Sequence, residues 1–289
     1  MSRMTFSTSI VEIIQRRYSC RKYEIQLLDN KTKRFLKEFL QGDSTSPLEG
    51  ETRFELIEMS ELNPKVKRQL GTYGFIQGAQ NFVVGATKKS EHDLENFGYI
   101  MEELVLYATD LGLGTCWVGG TLKRSRFAAQ INITDDEVVP AITPVGYAAK
   151  SQSKVDRVAR WAARSKNRHP WQTLFFEVDC DHPLTRERAD QYETPLEMIR
   201  LAPSASNRQP WRIIKENDTH TYHFFIIRKR SWYSRFLSWP DFPRVDLGIA
   251  ICHFNLTAQE LGLKGDWDFL RPSITIPPHL EYYISWISE

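Results

Sequence analysis

Two clusters of side chains in this sequence have the chemistry to hold a charged, flat ligand. Near the start, Arg17, Tyr18, Ser19 and Arg21 supply two guanidiniums and two hydroxyls just after the apolar pair Ile13 and Ile14. Arginine's planar fork matches the oxygens of a phosphate, and a spacing of four puts Arg17 and Arg21 on one side if the segment is helical. A solvated basic helix end would carry the same residues and is the competing reading. Far downstream, the stretch from Pro203 to Trp211 reads Pro-Ser-Ala-Ser-Asn-Arg-Gln-Pro-Trp. It follows a predicted helix at 196–202 that Thr194 would cap and Pro195 would open. Ser204, Ser206 and Asn207 offer short polar groups among turn formers, so the backbone can approach a flat polar ring closely. A capped turn ending in a core tryptophan is the alternative.

Other chemistries find less support. Cys20, Cys116, Cys180 and Cys252 form no C-x-x-C pair, and only His253 directly adjoins one of them, so no zinc site is expected. The histidines, His92, His253 and His279 among them, form no Ser-His-Asp pattern and read as surface or packing residues. With 38 basic against 36 acidic side chains the net charge is +2, which leaves no bulk field toward nucleic acid or a membrane. No apolar run approaches membrane-spanning length, and the start has no secretory pattern, so a reducing cytoplasmic setting is expected. One basic and aromatic stretch, 228–242, fits three roles: a lid over a ligand, a nucleic-acid surface, or a loop packed on its own domain.

The elements that must position these clusters come from an internal echo. Residues 98–117 align without gaps on 248–267, with seven of twenty positions identical at an offset of 150. Both copies carry apolar residues at spacings of three and four and end in Leu-Gly-Leu, which predicts two helices closed by Gly112 and Gly262. Asn96 and Asp246 are the candidate N-caps. A β-rich run precedes each helix (81–86 and 222–227) and another follows it (138–146 and 280–287), so strand, helix, strand occurs twice. Duplication is the better explanation. The two helices are expected to pack on each other as in a dimer of identical subunits. The expected organisation is a first lobe at 1–150, a basic crossover at 151–180 and a second lobe at 181–289. Arg157, Arg160, Arg164 and Arg168 would share one face of a crossover helix.

At this point a resemblance enters. Arg17-Tyr18-Ser19-Cys20-Arg21 resembles the Arg-x-Ser-x-Arg/Lys opening motif of FMN-dependent nitroreductases. Residues 202–211 resemble their Ala-Pro-Ser-x-x-Asn-x-Gln-Pro-Trp loop, the more specific match, and 111–120 resembles the segment that ends a core helix beside the flavin. Residues 70–78 are similar to a segment of the single-chain, two-lobed branch. The opening motif occurs only in the first half and the Pro-Ser-x-x-Asn loop only in the second, as in a fused pair of subunits keeping one complete site.

The resemblance implies an α+β fold with α/β/α layers, two homologous lobes forming an intramolecular pseudo-dimer, and one FMN per chain held between the lobes. It implies that Arg17, Tyr18, Ser19 and Arg21 meet the phosphate and ribityl chain, with Arg168 and Lys166 closing on the phosphate. Pro203, Ser204, Ala205, Ser206 and Asn207 would reach the ring and ribityl, and Gly119 and Gly120 would offer backbone N–H groups to the flavin. The implied activity passes electrons from NADH or NADPH through FMN to a small electron-poor acceptor, nitroaromatic or quinone, by a ping-pong route with no catalytic side chain. The alternative is an FMN-binding sensor or carrier without turnover. A monomer with no nucleic-acid or membrane partner is expected.

Overall fold

The computed structural model describes residues 5–62, 75–119, 124–150, 167–228, 240–269, 272–274 and 276–289. The chain divides into two compact units, Met1–Ser165 and Lys166–Glu289. In the first, the described elements are α1 (Ile10–Arg16), α2 (Asn30–Gln41), β1 (Thr52–Glu58), β2 (Asn81–Lys88), α3 (Asp93–Asp110), β3 (Gly114–Thr115), α4 (Arg124–Ala128), β4 (Glu137–Val138) and β5 (Ile142–Gly146). The second holds β6 (Phe175–Glu177), α5 (Arg186–Ala189), α6 (Glu193–Leu201), β7 (Trp211–Lys215), β8 (Tyr222–Ile227), α7 (Phe242–Glu260), β9 (Gly265–Asp268) and β10 (Leu280–Ser288).

The duplication read from the echo is present in the strand pairing of each unit. The first sheet runs β1-β2-β5-β3 and the second β7-β8-β10-β9, antiparallel at each of these steps. Strand, strand, helix, strand, strand therefore repeats with the same neighbours. The second sheet adds β6, parallel to β7 with Phe175 opposite Ile213. Part of the expected crossover at 151–180 thus serves as a strand, while 151–166 lie outside the described residues.

Alternation along β2 layers the first unit. Phe82, Val84 and Ala86 join Phe127, Ala128 and Ile131 around α4 on one face. On the other face, a Cβ at Gly85 would stand 2.6 Å from the Phe97 ring, so the absence of a side chain there lets α3 lie close against the sheet. In the second unit Phe224 meets Phe254 of α7, while Phe225 packs with Ile214 and Leu280 on the opposite face.

Both long helices close as their Leu-Gly-Leu sequences predict. Gly112 and Gly262 have φ of 77° and 70°, and the Leu113 and Leu263 N–H groups each reach back to the carbonyl of Ala108 or Ala258 at 2.9 Å. Their starts differ from expectation. The caps are His92 and Asp241, four or five residues before Asn96 and Asp246, which lie inside the helices. α6 likewise starts at Glu193 after Tyr192, so Thr194 and Pro195 fall within its first turn, where a missing N–H leaves no bond unmade.

Phe254 organises the second core. Tyr192, Tyr222, Phe224, Trp267 and Trp286 surround its ring with centroids 5.5 to 6.1 Å away. We expect Phe254→Ala to cost about 3–5 kcal/mol of stability. Thermal or urea unfolding checks this, and a loss below about 1 kcal/mol would contradict the packing.

Candidate functional site

The opening motif is extended. α1 ends at Arg16, and Arg17 has φ −58° and ψ 133°. Ser19 bridges Thr115 in parallel, the Cys20 N–H donates to Thr115 O at 2.7 Å, and Lys22 bridges Gln77. The helical spacing considered for Arg17 and Arg21 is therefore corrected, with the same result by another route. In an extended chain, residues two apart share a side, which groups Arg17, Ser19 and Arg21.

The Arg17 and Arg21 charges and the Ser19 hydroxyl all act on the buried Cys116 thiol. Burial pushes that thiol up to about 11, the Arg21 and Arg17 guanidiniums pull against it, Cys20 adds to the rise, and Ser19 hydrogen-bonds to it. Arg17 stands 3.8 Å from Glu102 of α3, whose carboxylate also accepts the Trp117 indole N–H at 2.7 Å. The Arg17 Nε is buried without a hydrogen bond. The Arg21 guanidinium lies 4.9 Å from the centre of the Phe75 ring. Tyr18, by contrast, is 46% exposed. Gly119 follows Val118, which bridges Ile142 of β5. Gly120 and Lys166 lie outside the described residues, as do 70–74 of the 70–78 segment and 229–239 of the basic aromatic stretch. At the edges of that last stretch, Arg228 pairs with Asp241 at 2.7 Å and with Glu281, and donates to Tyr283 Oη at 2.6 Å.

The second unit holds the other cluster in a tightly tied loop. After Ala202 and Pro203 the chain makes a 3-10 turn at Ala205–Asn207, and Ser206, Asn207 and Gln209 take φ of 53°, 54° and 47°. Ser204 closes the loop by accepting the Asn207 N–H on its carbonyl and the Gln209 N–H on its hydroxyl, each at 2.9 Å. Arg168 donates to Asn207 Oδ1 at 2.8 Å and to Leu201 O, the last carbonyl of α6, at 2.9 Å. Asn207 in turn donates to Asn167 O at 2.7 Å. Arg168 and Asn207, far apart in sequence, are thus brought together, and Arg168 braces the loop.

Two acids that sequence reasoning gave no site role support these clusters from the long helices. Glu102 sits behind Arg17. Asp246, read from the sequence as a cap, accepts the Ala205 N–H at 2.8 Å instead. Asn96, its counterpart at the 150-residue offset, donates to Gly50 O at 3.0 Å, just before β1. The signal was available as acids at positions that an all-round buried helix must cover. The first unit's loop before β1 is tied differently, because Ser44 and Thr45 donate to the Glu103 carboxylate at 3.1 and 2.7 Å.

The first unit's donors have the chemistry to meet an anion, and comparisons with known proteins give the chain's class. The family model described as "Putative TM nitroreductase" matches residues 9–258. This chain belongs to that nitroreductase family. A crystal structure of a "putative nitroreductase" from Thermotoga maritima is 21% identical with a TM-score of 0.58, covering 100% of this chain and 97% of that one, which shows a nitroreductase-like α+β fold. A nitroreductase family protein of Clostridium novyi is 20% identical with a TM-score of 0.41, over 52% of this chain and 91% of its own. One from Desulfovibrio desulfuricans in complex with FMN is 17% identical with a TM-score of 0.41, over 51% and 92%. No curated protein matches the chain. Among the described residues no helix is long and apolar enough to cross a membrane, and no group of acidic, His and Cys side chains could hold a metal.

Asp246 also gives the site a pH signature. Burial raises its carboxyl to about 8, against the Ala205 N–H and the Arg208 guanidinium, which lower it, and with Asp241 adding to the rise. An unfolded Asp gives up its proton near pH 4. Between these values the unfolded chain binds fewer protons than the folded one, so the stability this group contributes falls as pH climbs from about 4 to 8. We expect Asp246→Asn to remove that fall, so that the variant's unfolding free energy rises relative to the wild type's between pH 4 and pH 8, by a total on the order of 5 kcal/mol, as urea unfolding across this range would show. A margin constant with pH would refute the assignment.

Proposed function

We propose that this chain is an FMN-dependent oxidoreductase of the nitroreductase type, drawing electrons from NADH or NADPH for a small electron-poor acceptor such as a nitroaromatic or a quinone. The observation that carries this reading is the extended segment that sets Arg17, Ser19 and Arg21 on one side, with the buried Arg17 Nε, 3.8 Å from Glu102, making no hydrogen bond. A phosphate monoester near two negative charges asks for this donor set. Arg17, Ser19 and Arg21 would hold the phosphate, with Tyr18 between them in the chain and the Gly119 N–H, three residues past Cys116, assisting. Ser204, Ala205, Ser206 and Asn207 would serve the ribityl chain and ring, with Pro203 setting the loop's entry and Arg168 bracing it. We place Gly120 and Lys166 in the same role on the resemblance of the sequence alone.

FMN, when bound, supplies the redox chemistry between nicotinamide and acceptor in two half-reactions. The protein's own part is binding and orientation. The opening motif and the Pro-Ser-x-x-Asn loop each occur once, and in the first unit Ser44 and Thr45 donate to Glu103, so the reading is a single flavin per chain.

The test begins with reconstitution and colour. The full chain should bind one FMN and bleach anaerobically with NADH or NADPH, then regain colour with a quinone or nitroaromatic. Bound FMN that neither nucleotide bleaches would make the chain a carrier or sensor, and a chain that takes no FMN would sink both. Arg21→Ala and Asn207→Ala should each weaken FMN by about 10- to 100-fold, the worth of a charge-assisted or site-defining hydrogen bond. Unchanged affinity in both variants would contradict the proposed residues.

A further inference from the structure

Three residues of one short loop, Ser206, Asn207 and Gln209, hold left-handed backbone that side-chain-bearing residues rarely adopt. Such backbone persists where its surroundings over-determine it, and here the determinants can be named. Ser204 ties the loop to itself through Asn207 and Gln209. From outside, Asp246 Oδ1 accepts the N–H of Ala205, the residue just before Ser206. Asp246 is 4% exposed and stands on α7, whose buried face runs from Val245 to Ala258, so the anchor is rigid. The charged groups that bear on it are Arg208 from the loop and Asp241 from the helix start.

The repeat shows that this anchor is a built feature. Asn96 occupies the same helix position in the first unit and also ties down the segment entering the first strand, with the opposite sense: it donates to Gly50 O, whereas Asp246 accepts from Ala205 N.

We propose that Asp246 is a positioning residue for the cofactor loop: through the Ala205 N–H it fixes the left-handed turn at Ser206 and Asn207 in the form that meets the ligand. This rests on the reading of the loop as part of an FMN site. Asp246 touches neither cofactor nor substrate in this role. It acts through the backbone, so what matters is an acceptor atom at this place rather than a charge.

The experiment compares Asp246→Asn, Asp246→Leu and Ala205→Pro in the full chain. The asparagine oxygen can accept the same N–H, leucine cannot, and proline at the first position of the 3-10 turn removes the donor from the other end without touching the helix core. Amide hydrogen exchange at 204–209 without ligand, and FMN titration by fluorescence quenching, are the two readouts. The leucine and proline variants should exchange faster across the loop and bind FMN about tenfold more weakly, while the asparagine variant stays within about threefold of the wild type. The leucine–proline double variant should lose no more than either alone, because both remove one bond. Wild-type exchange and affinity in the proline variant would overturn the proposal, as would an asparagine variant as weak as leucine. Wild-type protein that takes no FMN would remove the flavin reading, and the exchange comparison would still decide whether the clamp exists.

Discussion

A helix buried on every side cannot leave its polar side chains to water, and each one that lacks an internal partner costs the fold roughly 1–3 kcal/mol. α3 and α7 are such helices, and their polar positions carry the structure outward from the core. Asn96 reaches Gly50, Glu102 reaches Trp117 and Arg17, and Glu103 reaches Ser44 and Thr45. In the second unit Asp246 reaches Ala205, His253 reaches Met198, and Asn255 reaches Trp267. The need to satisfy buried groups and the need to fix ligand-type donors are therefore met by the same bonds. Removing one such acid would disturb the donor segment before it disturbed the helix.

This coupling also explains what could be read from the residues alone. The long helices, their glycine ends, the flanking strands and the repeat all follow from local pattern, because apolar spacing and a left-handed glycine act within a few residues. The caps did not. Asn96 and Asp246 have the right chemistry for an N-cap, yet their partners lie 46 and 41 residues away, and no local rule sees that far. Thr194 misses for a local reason, because the helix begins at Glu193, two residues before Pro195. The grouping of Arg17 with Arg21 was anticipated through a helix that is absent. It survives because four residues also return a strand to the same side.

The second cluster shows the limit differently. Pro203 to Trp211 reads plainly as a turn, but not that Arg168 would brace it by joining the last carbonyl of α6 to the Asn207 amide. Arg168 belongs to a basic stretch whose regular spacing suggested a helical face, and in the structure it lies just before a 3-10 turn at Trp171–Thr173. Charge alone gave no hint of a structural partner, because guanidiniums serve helix ends and phosphates through the same fork.

Position 96 and position 246 hold the same place in two copies of one unit, with an amide in one and a carboxyl in the other. Identical subunits encoded by one gene must change together, so a residue that improves one copy is imposed on its twin. Carrying both copies in a single polypeptide lifts that restriction. One copy could then replace a donor by an acceptor, reversing the direction of a single hydrogen bond, while the other kept its original sense. Inheritance, rather than geometry, is what the covalent joining of the two halves has made asymmetric.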